Sequence, residues 1–151
     1  MSLEEEVEKI IWEDNEFDTA NIGFDNFPCL KEVVELKLKC TGYRLGGIGH
    51  MDSSIPFNCF TPMAFTMSVG EHTDDVCAPV MFGIYVVDNE SIVDSRYTFP
   101  AELHFFGVDG RKKKKEMYQD DILIFNPRKN HSLHYHGIKA RMILFSVVKD
   151  R

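Results

Sequence analysis

The sequence predicts a mainly β protein, an all-β sandwich closed by Greek-key connections and supported by one or two N-terminal helices. Helical periodicity is confined to the beginning of the chain, and at least six strand-like segments follow it. Because these strands do not alternate with helices, the βαβ units of a parallel sheet are not expected. We expect a single domain over residues 1–151, with helical support in 1–41 and a β-sandwich core in 63–148.

The composition is that of an ordinary globular protein, with 44% hydrophobic and 27% charged residues. A chain of 151 residues is long enough to bury a real core. The net charge of −7 argues against wholesale wrapping of nucleic acid. The four cysteines form no C-x-x-C pair, and neither a secretory signal nor a membrane-spanning apolar run is evident. These features favour a soluble, cytoplasmic protein with reduced thiols.

Two helices are predicted near the N-terminus. Apolar residues recur at helical spacing over 3–13, with Ser2 as a possible N-cap. A second helix is predicted over 28–38, because Pro28 suits a first helical position. Apolar residues also alternate over 34–40, so a strand fits that segment almost as well and the helix is only slightly favoured.

Strand-like segments fill the rest of the chain, and they are predicted at 63–69, 79–87, 101–108, 122–125 and 142–148. Asp109 and Gly110 form a strong hairpin signal after the third of these segments. The basic run from Arg111 to Lys115 is interpreted as a solvated loop that blunts an edge strand. The alternative is that this run contacts phosphates beside an active site.

A candidate metal site begins with His72 and Asp74, in the stretch Glu71-His72-Thr73-Asp74. Side chains two residues apart on a strand point to the same side, so both can bind one ion. A distant histidine would complete the 2-His-1-carboxylate set that suits non-haem Fe(II) and leaves coordination positions open. His131 is favoured because its ten-residue separation from a later arginine suits one turn between adjacent strands, but His134 and His136 compete with it.

Several further side chains are candidates for ligand binding. Arg141 lies in an apolar strand, where its guanidinium can pair bidentately with a dicarboxylate. Thr66 and Ser68 either bind a carboxylate or are hydroxyls satisfied on a half-buried strand. Tyr85 points either into a pocket or into the core, and His104 is expected on the outside of its strand.

At His72-Thr73-Asp74, His131 and Arg141 the sequence resembles the Fe(II)- and 2-oxoglutarate-dependent dioxygenase superfamily, whose core is a cupin-like double-stranded β-helix, or jelly roll. The resemblance spans roughly residues 63 to 148. It implies that His72, Asp74 and His131 bind Fe(II). It also implies that Arg141 holds the distal carboxylate of 2-oxoglutarate, with O2 as the second cosubstrate. One departure is Asp120, which stands where the family commonly has a glycine.

The function implied by this resemblance is hydroxylation, or oxidative demethylation, of an unidentified substrate. The chain has little beyond the core, so the pocket is expected to be shallow and to suit a macromolecule, either protein or nucleic acid. The alternative is a non-catalytic cupin-like module that binds a ligand or a different metal such as Zn²⁺. The oligomeric state and the atom that is modified are not determined by the sequence.

Overall fold

The computed structural model describes residues 2–10, 12, 20–21, 24–46, 63–65, 68–74, 76, 79–88, 101–107, 109–135 and 141–150. Helices α1 (Leu3–Lys9) and α2 (Pro28–Leu38) lie in the N-terminal part, with a short 3-10 helix at Phe24–Asn26. The strands are β1 (Ala20–Asn21), β2 (Tyr43–Leu45), β3 (Met63–Phe65), β4 (Val69–His72), β5 (Met81–Asp88), β6 (Ala101–Phe106), β7 (Lys112–Met117), β8 (Ile122–Phe125), β9 (His131–Tyr135) and β10 (Arg141–Lys149).

The strands form two antiparallel sheets. The large sheet has the order β1-β3-β10-β5-β8, and β2 also pairs with β10. The small sheet has the order β4-β9-β6-β7. Most neighbours in each sheet are distant in sequence, as Greek-key connections require. The predicted fold class, a mainly β jelly roll with N-terminal helices, is confirmed.

The large sheet is buried on both faces. One face packs against the small sheet, and its buried residues include Ile84, Val86 and Met142. The other face packs against the helices, and its buried residues include Tyr85, Ile143 and Phe145. Successive residues on a strand point to opposite faces, so a strand covered on both sides becomes a continuous apolar run. This double burial explains why the sequences of β5 and β10 are mostly apolar.

A buried carboxylate ties the two helices together. The residue before α2, Phe27, provides no side-chain cap. Instead Glu6 of α1, which is fully buried, accepts hydrogen bonds from the backbone N–H groups of Cys29 at 2.9 Å and Leu30 at 3.0 Å. Burial raises the pKa of Glu6, but hydrogen bonds from the Cys29 thiol and from these two N–H groups outweigh it and leave the pKa below its ordinary value. Glu6 therefore supplies the N-terminal cap of α2.

Both predicted helices are confirmed, although α1 ends at Lys9, earlier than expected. Two strand expectations need correction. The predicted strand over 63–69 corresponds to β3 and the start of β4, which lie in different sheets. The basic run is not a loop: four of its residues begin β7, an edge strand of the small sheet that pairs with β6 along its whole length. The predicted hairpin turn is present, with Gly110 at φ 79°.

Among the described residues, no helix combines the length and the apolar character that crossing a membrane requires.

Candidate metal centre

The small sheet places the two candidate histidines next to each other, with ring centroids 4.3 Å apart. Strands β4 and β9 are antiparallel neighbours, and His72 is paired directly with His131. Strand β4 ends at His72, so Asp74 lies just beyond it, where its backbone N–H donates to the carbonyl of Pro127 at 2.8 Å. The aspartate therefore reaches the histidines from a short anchored segment, and not from the strand itself as its two-residue spacing from His72 predicts.

The three side chains converge on one point. Asp74 Oδ2 lies 2.9 Å from His131 Nε2 and 3.5 Å from His72 Nε2. One ligand atom from each residue lies within 4.8 Å of the other two. Ligand atoms bound to one divalent cation at about 2.0–2.2 Å are separated by about 3 Å when they occupy adjacent coordination positions. The three side chains thus fit a facial set of ligands with little movement.

The hydrogen bonds of the imidazoles determine which nitrogens face that point. His72 Nδ1 donates to the Gly70 carbonyl at 2.7 Å, and His131 Nδ1 donates to the Lys129 carbonyl at 2.8 Å. A carbonyl only accepts, so each Nδ1 carries a proton, and Nε2 is the nitrogen of each ring that faces Asp74. Histidine ligands of metals are commonly oriented by such an outer hydrogen bond. Two imidazole Nε2 atoms and a carboxylate oxygen, all ligand types that bind divalent metal ions, therefore meet at one position.

A cavity of about 170 Å³ lies beside the three ligands, between the two sheets. His131 is almost fully buried, with 6% of its side chain exposed, while Asp74 is 33% exposed and His72 is 37% exposed. A bound ion would therefore have protein on one side and an open approach on the other. The apolar wall of the cavity is formed by Val69, Phe82, Ile84, Leu103, Phe125, Leu133 and Leu144.

Two of the three later histidines that compete for the distal ligand position are described, and they lie on opposite faces of the small sheet. His131 points to the cavity, whereas His134 is exposed and lies against His104, with ring centroids 4.3 Å apart. The two positions are an odd number of residues apart on β9, so they face opposite sides of the sheet. His136 lies outside the described residues.

Arg141 and Tyr85 are not brought to this cluster. The guanidinium of Arg141 lies 5.4 Å from the ring centroid of Trp12, which packs against the helix-side core, and Arg141 is not among the residues lining the cavity. Tyr85 is buried in the same helix-side core, and its hydroxyl donates to Asp120 Oδ1 at 2.7 Å. Burial and this hydrogen bond raise the pKa of Tyr85. Neither residue therefore lies in the described wall of the cavity, where its contact with 2-oxoglutarate is expected.

The structure describes one of the two hydroxyl candidates. Ser68 is exposed and does not line the cavity, and Thr66 lies outside the described residues. The feature that sequence reasoning missed is the pair of backbone carbonyls, those of Gly70 and Lys129, that orient the imidazoles. Each precedes its histidine by two residues, but no side-chain pattern could have indicated a backbone acceptor.

Comparisons with known proteins give the following similarities. No protein-family model matches the chain, and the search of curated proteins finds no significant relative. A variant of oxalate decarboxylase from Bacillus subtilis is 13% identical with a TM-score of 0.44, over 72% of this chain and 25% of that chain. The present chain thus spans about a quarter of that protein's length.

Two smaller solved structures are also similar. The cupin domain of an XRE-family transcriptional regulator from Enterobacter cloacae is 15% identical, with a TM-score of 0.37, over 73% of this chain and 99% of that one. A protein from Neisseria meningitidis is 9% identical, with a TM-score of 0.42, over 99% of this chain and 98% of that one. Likeness at this level assigns no activity to this chain.

Proposed function

We propose that this protein is a metal-binding jelly-roll protein that holds a single Fe(II) ion, or a similar divalent cation, through His72, Asp74 and His131. The observation that carries the proposal is the convergence of one potential ligand atom from each of the three residues, with both imidazole rings oriented by backbone carbonyls. Nitrogen and carboxylate ligands in a 2-His-1-carboxylate set suit mononuclear non-haem iron.

We further propose that the site is an oxygenase centre. Bound Fe(II) in such a set would supply redox chemistry with O2. The contribution of the chain is to hold the ion on the buried side through His131 and to leave the approach past His72 open. The apolar wall, which includes Phe82 and Phe125, excludes water and accepts the apolar part of a small ligand.

Metal binding tests the first part of this proposal. Purified protein is equilibrated with Fe(II) under anaerobic conditions, and bound iron per chain is measured. We expect His72→Ala, Asp74→Ala and His131→Ala each to lose one iron ion. The matched control is Thr73→Ala, which lies between two ligands and is exposed, so it should bind as much iron as the wild type. Retention of wild-type iron by all three ligand variants would refute the site.

Turnover of 2-oxoglutarate tests the second part. Iron-dependent formation of succinate would identify 2-oxoglutarate as the cosubstrate, as the sequence resemblance implies. Iron binding without succinate formation would favour the alternative, a cupin-like module that binds metal without this activity.

The position of Arg141 makes a separate prediction about the cosubstrate. Because its guanidinium lies over Trp12 rather than at the cavity, we expect Arg141→Ala to leave the affinity for 2-oxoglutarate within about twofold of wild type. The affinity is measured by titrating the cosubstrate against the iron-loaded protein. A tenfold or larger loss of affinity, about 1.4 kcal/mol, would restore the role that the sequence spacing suggested for Arg141.

A further inference from the structure

The outer face of the small sheet, turned away from the cavity, carries a second group of polar side chains. Leu103 of β6 and Leu133 of β9 are buried inward, so their neighbours along each strand point outward. The register pairs Glu102 directly with His134 and His104 directly with Ser132. Four polar residues thus occupy the corners of one cross-strand square, and we call them the outer-face cluster: Glu102, His104, Ser132 and His134.

The members of the outer-face cluster are already in contact. His104 Nε2 lies 3.0 Å from Glu102 Oε2. The rings of His104 and His134, at diagonal corners, have centroids 4.3 Å apart. Ser132 Oγ lies 2.8 Å from His134 Nε2. A carboxylate and two imidazoles thereby lie next to one another on paired strands.

We propose that Glu102, His104 and His134 form a second metal site that binds a divalent cation of the Zn²⁺ class. The 3.0 Å separation of the Glu102 and His104 ligand atoms is what two adjacent ligands of one such ion require. The third ligand comes from His134, which is exposed, so its ring has room to turn a nitrogen toward the ion. Ser132 holds the His134 ring in the absence of metal.

The ligand chemistry selects the class of ion. Two imidazoles and one carboxylate suit transition-metal ions such as Zn²⁺, Cu²⁺, Ni²⁺ and Fe²⁺, whereas Mg²⁺ and Ca²⁺ prefer sites made of oxygen ligands. Ser132 also lines the cavity, but none of the three proposed outer ligands does, since His131 and His134 point to opposite sides of β9. The two sites can therefore be tested independently.

The test is the number of Zn²⁺ ions bound per chain, measured by equilibrium dialysis followed by metal analysis. We expect two ions for the wild type and one for His134→Ala, which changes an exposed side chain and should fold normally. Glu102→Gln and His104→Gln provide further variants of the same site. The matched control is Lys114→Ala, because Lys114 lies directly opposite His104 on β7 and is exposed, and it should still bind two ions.

The outcomes separate this proposal from the proposed function. If His72→Ala keeps the wild-type count while His134→Ala loses one ion, the inner site fails and the outer-face site stands. If folded His134→Ala and Glu102→Gln both keep the wild-type count, the outer-face proposal is overturned, and the cluster is only a hydrogen-bonded surface. Folding of each variant is checked by circular dichroism and thermal unfolding.

Discussion

At the scale of single residues, the side chain of Asp120 compensates for an unfavourable backbone conformation. Its backbone has φ 67°, the left-handed region in which glycine is usual and Asp is tolerated. The side chain accepts a hydrogen bond from the buried Tyr85 hydroxyl at 2.7 Å, and the backbone N–H donates to the Val86 carbonyl. An aspartate can therefore occupy a glycine position here because its carboxylate also serves a buried donor.

Replacing Asp120 should show how much its hydrogen bond to Tyr85 and its tolerance of positive φ contribute to stability. We expect Asp120→Ala to lower the free energy of unfolding by about 2 kcal/mol, because it leaves the Tyr85 hydroxyl unsatisfied and places a Cβ without polar compensation at positive φ. Asp120→Asn is the matched control, since Asn tolerates this conformation and keeps an acceptor oxygen. Urea unfolding measures all three proteins, and equal stability of the Ala and Asn variants would contradict the explanation.

Spacing predicts residue positions only in part. His72, Asp74 and His131 lie close together, but Asp74 lies beyond the end of β4 and not on the strand where its spacing placed it. Arg141 could not be placed from its spacing, because the pairing of β10 with β5 shifts register between positions 141 and 142. Tyr85 lies in a strand that is apolar on both faces, so periodicity carries no information about the side to which it points.

At the scale of elements, a glycine allows the close packing of β5 and β10. Gly83 is paired with Phe145 across the sheet, and a Cβ at Gly83 would lie 2.5 Å from an atom of the Phe145 ring. We expect Gly83→Ala to destabilise the protein by about 1–3 kcal/mol through overpacking. Gly70→Ala is the control, because a Cβ added at Gly70 would meet nothing within 4 Å.

A double-mutant cycle identifies the cause of that loss. If the clash with the Phe145 ring is responsible, Phe145→Leu should reduce the cost of Gly83→Ala, giving a non-additive interaction energy. Additive effects of the two substitutions in thermal or urea unfolding would assign the loss to something other than this contact.

The helix pair makes a prediction about pH. The folded-state pKa of Glu6 is lowered, so its contribution to stability is present above the ordinary glutamate value of 4.5 and is lost as pH falls below it. Glu6→Gln should abolish this part of the pH dependence, and Glu6→Ala should cost about 1.5–3 kcal/mol at neutral pH. Glu8→Gln, an exposed change on the same helix, is the control.

The measurement is the free energy of unfolding between pH 3 and pH 7, roughly the range over which carboxylates titrate. Wild type and Glu8→Gln should lose stability in parallel as the solution is acidified. A wild-type profile that matches the Glu6→Gln profile would show that Glu6 does not carry the predicted charge.

Element boundaries reveal a limit of pattern reasoning. The hairpin at Asp109 and Gly110 is predictable because its turn chemistry is local. The sequence predicts a loop at the lysines of β7, because a run of like charges does not favour a strand. They form one because β6 supplies the hydrogen-bonding partner, and an edge position leaves their side chains in water.

At the scale of the whole molecule, the site exists only in the folded chain. The histidines come from β4 and β9, and the strands from β5 to β8 lie between these two along the sequence. An ion that binds this arrangement and not the unfolded chain must stabilise the fold. The size of this stabilisation depends on the affinity of the folded chain for the ion and on the concentration of free ion.

Thermal unfolding with and without metal measures this linkage. At a free Fe(II) concentration about 100 times the dissociation constant, the expected stabilisation is about 2.7 kcal/mol, which corresponds to an increase in Tm of about 5–10 °C for a chain of this size. The experiment uses the His134→Ala background, so that the outer-face cluster does not contribute. Adding a chelator should return Tm to its starting value, and introducing His72→Ala should remove the response. A Tm that does not move in the His134→Ala protein, or that still rises after His72→Ala, would mean that the ion is not held between β4 and β9.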